Sequence, residues 1–161
     1  SQFQHDLPSD FDAAHLSELL AINLVAPMAM AREFAHVGSP HATFVQFLDN
    51  KVFAPNPDFF SYSLGKFALK GALDMLAQHF AGRMRVCGVA PGLTLRSGDQ
   101  TEEQFRADWT RTLTGSGATV EDICRTVSFI WETKAINGET IVLDGGQRLM
   151  RLPRDVAFMR E

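Results

Sequence analysis

Short apolar runs that favour β-strands alternate with long stretches of helical periodicity along this chain. Strands are predicted at residues 43–48, 85–89 and 139–143, and helices at residues 11–35, 61–80, 101–113 and 120–132. Strands that are separated by long helices pair in parallel, and a parallel sheet needs helices on both of its faces. The alternation therefore predicts an α/β fold built on a parallel sheet with flanking helices.

The composition narrows the class of protein. A length of 161 residues and a hydrophobic content of 45% suit a single domain over residues 1–161. The net charge of -4 is not gathered into a basic run, which argues against nucleic acid as a partner. No apolar run approaches the ~20 residues of a membrane span, and the start lacks the basic and apolar regions of a signal peptide, so no membrane association is expected.

Cys87 and Cys124 lie in apolar surroundings without disulfide or metal spacing, and the five histidines show no ligand pattern. These features predict a cytoplasmic protein with reduced core cysteines and no metal.

One segment places three chemically useful side chains at suggestive spacing. Asp49, Tyr62 and Lys66 occur in DNKVFAPNPDFFSYSLGK, and Tyr62 is the only tyrosine of the chain. If the segment from Tyr62 is helical, Lys66 lies one turn further on the same face, where its positive charge would lower the pKa of the phenol. The spacing favours a proton-transfer site in which Tyr62 is the acid.

Asn23 has a backbone peculiarity of its own. Pro27 follows it by four residues in the same predicted helix, and proline has no N–H to bond the carbonyl of residue 23. That carbonyl needs another partner, for which water is suited.

Four motifs, in this order along the chain, are similar to those of the short-chain dehydrogenase/reductase family. They are ELLAINLVAP around Asn23, YSLGK from Tyr62 to Lys66, VAPG ending at Gly92, and NGETIVLDGG at the last strand. The chain resembles the C-terminal two-thirds of such a protein. The resemblance implies a Rossmann-like fold without its N-terminal strands and glycine-rich phosphate turn, which would precede Ser1. On this interpretation the chain is N-terminally truncated and inactive alone.

The same resemblance implies the roles of individual residues. Tyr62 would donate the proton, Lys66 would hold the ribose of the cofactor, and Asn23 would hold a water that leads to the lysine. NADP is the implied cofactor, with NAD as the alternative, because the residues that distinguish them would lie upstream of this chain. The implied cofactor contacts are Ser1, Tyr62, Lys66, Pro91, Gly92, Leu93 and Thr94.

Two larger features follow from the resemblance as well. Residues 95–117 are similar to the mobile substrate lid of the family. The helices at residues 11–35 and 61–80 correspond to those through which family members pair, so a homodimer or homotetramer is expected. The substrate would be a small molecule.

Asp49 departs from the general family pattern, which places a serine thirteen residues before the tyrosine. An aspartate at this position is similar to pteridine reductases and the related dihydromonapterin reductases. Phe3 occupies the place where pteridine reductases carry an aromatic that stacks on the pterin. These residues imply a pterin-like substrate, bound by Phe3, Asp49 and Tyr62, with Asp49 and Tyr62 acting together in its protonation.

Two other interpretations remain open at this point. The chain could come from a reductase or dehydrogenase of a carbonyl or alcohol substrate, in which Asp49 is a tolerated substitution. It could also be a non-catalytic dimerising remnant, since the part that would hold the adenosine and pyrophosphate is not in the sequence.

Overall fold

The computed structural model describes residues 4–38, 42–98 and 100–159. Its main elements are four helices and three strands: α1 (Ala13–Val37), β1 (Ala42–Phe47), α2 (Phe60–His79), β2 (Met84–Pro91), α3 (Glu102–Trp109), α4 (Val120–Glu132) and β3 (Thr140–Leu143). A short 3₁₀ turn lies between β1 and α2 at Asn50–Val52, and two more lie after β3 at Gln147–Met150 and Val156–Phe158. The described residues therefore contain the predicted alternation of strands and helices.

The three strands form one parallel sheet in the order β1-β2-β3. Val45 pairs with Cys87 on one side of the central strand, and Val89 pairs with Ile141 on the other. The α/β fold with a parallel sheet is thus confirmed, and strand bounds differ from the predicted ones by only one or two residues.

Helices cover both faces of this sheet. Leu69 and Leu73 of α2 pack in one buried cluster with Val86 of the central strand. On the opposite face, Ile130 of α4 packs with Cys87 and is likewise fully buried. Residues that alternate along β2 therefore point to different helices, as the two-residue period of a strand requires.

The cysteine prediction is half wrong. Cys87 is buried in the core as expected, but Cys124 is exposed on α4. Apolar neighbours in the sequence do not show that Cys124 is buried, because a residue on a helix faces either the core or the solvent whatever its immediate neighbours are.

Helix α3 is also shorter than predicted. It begins as expected at a capping box in which Thr101 and Gln104 exchange hydrogen bonds, but it ends at Trp109 rather than at residue 113. The indole N–H of Trp109 donates to the carbonyl of Ala118 at 3.1 Å, and Gly115 turns the chain with a φ of 75°. The chain after Trp109 therefore folds back so that residue 118 lies against the end of the helix, and the helix does not continue to residue 113.

Helix α1 carries a largely exposed apolar face. Val25 and Met30 are 60% and 63% exposed. The helix has 25 residues, and its most apolar window has a mean hydropathy of 1.3, so by length and composition it could cross a membrane. Only 6% of that window is buried inside the protein. The sequence expectation missed this because it considered only uninterrupted apolar runs. A single helix of this kind is weak evidence for a membrane span, since core helices of globular proteins have the same length and composition.

Candidate active site

An open cleft lies where the carboxyl ends of β1 and β2 meet the beginning of α2. Its volume is about 1060 Å³, and Asp49, Tyr62, Gly92, Leu93 and Thr94 are among the residues that line it. In open α/β sheets ligands bind outside the carboxyl ends of the strands. The cleft is therefore the candidate active site.

Asp49 and Tyr62 are in direct contact in this cleft. The phenol of Tyr62 donates a hydrogen bond to Oδ2 of Asp49 at 2.9 Å, and the other carboxylate oxygen accepts from the backbone N–H of Lys51 at 2.9 Å. Because the second bond caps the 3₁₀ turn after β1, the carboxylate is held in one orientation toward Tyr62. The structure brings together two residues that lie thirteen positions apart in the sequence.

The proton affinities of this pair are both shifted upward. Burial raises the pKa of Asp49, and its hydrogen bonds from Lys51 and Tyr62 only partly offset this. Burial also raises the pKa of Tyr62, and the negative charge of Asp49 raises it further. Both groups therefore hold their protons more tightly than the free side chains do.

This outcome corrects the prediction that Lys66 lowers the pKa of the phenol. The ammonium of Lys66 lies 5.6 Å from the centre of the Tyr62 ring and donates to the carbonyl of Phe47 at 2.8 Å. Asp49 accepts the hydrogen bond of the phenol directly at 2.9 Å, and its charge raises the pKa of Tyr62 in the chain without a cofactor. Burial lowers the pKa of Lys66 itself, and the charge of Asp49 opposes that shift.

Asn23 lies against the helix that carries Tyr62, in a distorted part of α1. Residues Ala21–Val25 form a π turn, in which the N–H of Ala26 bonds the carbonyl of Ala21. A π turn at this point fits the missing N–H of Pro27, and such turns often occur at functional sites. The Cβ of Asn23 lies 3.5 Å from the Cβ position of Gly65, which immediately precedes Lys66, and Nδ2 of Asn23 is buried without a hydrogen-bond partner. A buried amide donor of this kind needs a polar ligand such as water.

The loop after β2 forms another wall of the cleft. Gly92 donates its N–H to the carbonyl of Leu143 at 2.8 Å, and a Cβ on Gly92 would lie 3.1 Å from that of Asp144. Thr94 donates its hydroxyl to the carbonyl of Gly92 at 3.0 Å. This close packing holds the segment from Pro91 to Thr94 against β3, with Leu93 and Thr94 lining the cleft.

Two predicted site residues, Ser1 and Phe3, lie outside the described residues. Conversely, the cleft is also lined by His5 and by residues 155–158 near the other end of the chain. Sequence reasoning missed these residues, because no motif marks them. The aromatic Phe158 was the only signal available, and it is weak.

Comparisons with known proteins define the family. Residues 4–148 match the family model described as Enoyl-(Acyl carrier protein) reductase. The chain is 32% identical over 145 residues to the uncharacterized short-chain type dehydrogenase/reductase y4vI of Sinorhizobium fredii, an alignment that covers 83% of this chain and 26% of that protein. The chain belongs to the short-chain dehydrogenase/reductase family.

Solved structures narrow the likeness further. The FolM Alternative dihydrofolate reductase 1 from Brucella suis, crystallised in complex with NADP, is 36% identical with a TM-score of 0.88, and the match covers 92% of this chain and 61% of that one. The promiscuous reductase LugOII, which catalyses keto-reduction at C1 during lugdunomycin biosynthesis, is 26% identical with a TM-score of 0.78, covering 89% of this chain and 59% of that one. The chain thus spans about three-fifths of the length of these reductases.

Proposed function

We propose that this chain is the catalytic part of an NADPH-dependent reductase of a pterin-like substrate, with Asp49 and Tyr62 delivering the proton. The observation that carries the proposal is the 2.9 Å hydrogen bond between Tyr62 and the Asp49 carboxylate inside the cleft. A carboxyl group can hold and release a proton, whereas a serine hydroxyl chiefly donates a hydrogen bond. The likeness to a FolM alternative dihydrofolate reductase supports the same substrate class.

The residues present fit the nicotinamide end of a dinucleotide. Gly92 has no side chain where the backbone approaches Asp144 closely, and the hydroxyl of Thr94 lies in the cleft beside it. An ammonium has three donors, and Lys66 donates one of them to Phe47, which leaves donors for ribose hydroxyls. A bound nicotinamide supplies the hydride, and NADPH rather than NADH is proposed by likeness to the NADP complex.

The chain's own residues then handle the proton. When a ring C=N bond of the substrate accepts a hydride at carbon, its nitrogen needs one proton from the protein. The raised pKa of Asp49 increases the protonated fraction of its carboxyl, which makes it a suitable donor together with Tyr62. The open cleft allows the pair to regain that proton from solvent.

Asp49→Ser tests this function against carbonyl reduction. We expect turnover of dihydrofolate with NADPH to fall by about 100-fold or more, since a positioned acid contributes about 10² to 10⁴. Reduction of an aromatic aldehyde by the same variant should stay within a few-fold of the parent or improve. A variant that reduces dihydrofolate as fast as the parent would overturn the proposal and favour the carbonyl reductase, which the likeness to LugOII supports.

NADPH binding tests the third interpretation, a non-catalytic remnant. The described residues contain no glycine-rich phosphate turn, so the adenosine and pyrophosphate would lack their usual contacts. We expect the 161-residue chain to bind NADPH weakly. In a titration, the fluorescence of the protein should therefore change only at high concentrations of NADPH. No binding and no turnover at any concentration would favour the remnant.

Self-association through α1 and α2 is part of the proposal, in a cytoplasmic homodimer or homotetramer. Exposed apolar residues on both helices support it, including Val25 at 60%, Met30 at 63% and Met75 at 65%. Met30→Glu should shift the sedimentation profile toward monomer. An unchanged profile, compared with Phe129→Glu on α4 as control, would contradict pairing through α1.

A further inference from the structure

A turn near the end of the chain, residues 154–158, is bonded to Asp58, which lies two residues before the catalytic helix α2. Arg154 donates from Nε to Oδ2 of Asp58 at 2.8 Å and from Nη2 to Oδ1 at 2.6 Å. The backbone N–H of Asp155 adds a bond to Oδ2 of the same carboxylate at 2.7 Å. Asp58 is fully buried, so these donors satisfy a charge that has no access to water.

A second ion pair holds the turn from its other side. The ammonium of Lys51, only 9% exposed, lies 2.9 Å from Oδ2 of Asp155. It also donates to Oδ1 of Asn56 at 2.9 Å and to the carbonyl of Asp58 at 3.1 Å. All three ammonium donors therefore have acceptors, and Lys51 links the turn to the loop that follows Asp49.

These ties place the ring of Phe158 in the cleft. Its centre lies 4.4 Å from the ring of His5 and 5.8 Å from that of Phe59, and the Arg154 guanidinium carbon lies 5.5 Å from its centre. Phe59 belongs to the same apolar cluster as Tyr62. A line of contacting side chains therefore runs from the Asp49 and Tyr62 pair to Phe158.

Phe158 differs from Phe59 in one respect that bears on ligand binding. Phe59 is 7% exposed and belongs to the core, whereas Phe158 is 42% exposed although it lines the cleft. A partly exposed aromatic side chain in a cleft that also holds a few polar groups is suited to contact with a flat ligand.

We propose that Phe158, supported by His5, is the aromatic wall against which the flat ring of the substrate packs, and that Arg154 is a positioning residue for this wall. The inference rests on the proposed function in so far as the ring is a pterin. It makes the end of this chain a determinant of substrate specificity rather than a structural tail.

Ligand binding tests the role of Phe158. Pterin is titrated by saturation-transfer NMR into the full chain, into Phe158→Ala and Phe158→Leu, and into Phe129→Ala as a control on α4, where Phe129 is 51% exposed and outside the cleft. Aromatic contacts contribute enough for removal of the ring to weaken Kd by about three- to ten-fold. Leu should recover part of this loss, and the control should bind as the parent does.

The outcomes separate this inference from the proposed function. If the parent binds pterin and Phe158→Ala binds it equally well, the aromatic wall is wrong and the pterin function stands. Naphthaldehyde and hexanal are titrated in parallel. If the parent binds naphthaldehyde but not pterin, and Phe158→Ala weakens the binding of naphthaldehyde more than that of hexanal, the aromatic wall stands and the pterin function is wrong. A parent that binds none of the three overturns both.

Arg154 is tested by its effect on substrate affinity and by rescue. In the same titration, Arg154→Gln should weaken Kd for pterin about as much as Phe158→Ala does, and Arg154→Lys should restore part of the affinity because it keeps the charge. A loss confined to thermal stability, with Kd unchanged in the folded protein, would overturn the positioning role of Arg154.

Discussion

Two aspartates nine residues apart, Asp49 and Asp58, are held in opposite ways. Asp49 lines the cleft and accepts hydrogen bonds from a phenol and a backbone N–H. Asp58 is fully buried and faces the Arg154 guanidinium. Burial raises the pKa of both carboxyls, and it prevails at Asp49. At Asp58 the hydrogen bonds from Arg154, Asp155 and His5 outweigh it, and the pKa lies well below its usual range.

The difference shows that the hydrogen-bond partners of a carboxyl, as well as its burial, decide its pKa. Asp58 is the more acidic of the two, because a cation and a backbone N–H compensate its charge. Such a group stays ionised and holds two segments together. A carboxylate that faces mainly neutral donors keeps its proton to higher pH, which suits proton transfer. The same substitution at both positions should therefore have opposite consequences.

The largest expected effect is on turnover in Asp49→Asn. The amide keeps the shape of the carboxyl but cannot supply a proton, so kcat for pterin reduction should fall by about 10² to 10⁴. Asp58→Asn, assayed at a temperature where it is folded, should retain kcat within a few-fold. Equal losses in the two variants would contradict the distinction between them.

The second effect is on stability in Asp58→Asn. Loss of the charge weakens the bonds from Arg154 and Asp155, which should cost about 2 kcal/mol in the free energy of unfolding. For a chain of this size that lowers Tm by roughly 4–8 °C, which calorimetry at pH 7 would measure. A Tm within 1 °C of the parent would mean that the ion pair does not hold the turn.

Acid stability sharpens the same point. The folded pKa of Asp58 is depressed, so its contribution is present above the unfolded pKa of about 4 and is lost as the pH falls below that value. The gap in Tm between the parent and Asp58→Asn should therefore narrow from pH 5 to pH 3. A gap of constant size over this range would show that charge is not its cause.

The smallest effect is a gain of stability in Asp49→Asn. The folded pKa of Asp49 is raised, so the folded state binds more protons than the unfolded state above about pH 4, and stability declines as the pH rises through that window. Asn escapes this loss, and its Tm should exceed that of the parent at pH 7 but not at pH 3. A lower Tm at pH 7 would mean that the carboxylate is stabilising.

The sequence predicted the local features of the site and missed the distant ones. The helix that carries Tyr62 and Lys66, and the missing N–H of Pro27 opposite the carbonyl of Asn23, follow from spacing and backbone chemistry that operate within a few residues. The ion pair between Arg154 and Asp58 joins residues 96 positions apart, and no periodicity relates such residues. The pKa of Tyr62 was predicted in the wrong direction, because the sequence does not give its relative distances from Asp49 and Lys66.

Titration of Tyr62 tests the central claim, that Asp49 and Tyr62 form one proton site. Since Tyr62 is the only tyrosine, ¹³C-tyrosine NMR reports it alone. In the parent chain the phenol should stay protonated well above the usual tyrosine pKa of about 10, and in Asp49→Asn its pKa should fall because the neighbouring negative charge is removed. An equal pKa of Tyr62 in the parent and in Asp49→Asn, or a pKa below about 10 in the parent, would contradict the coupling.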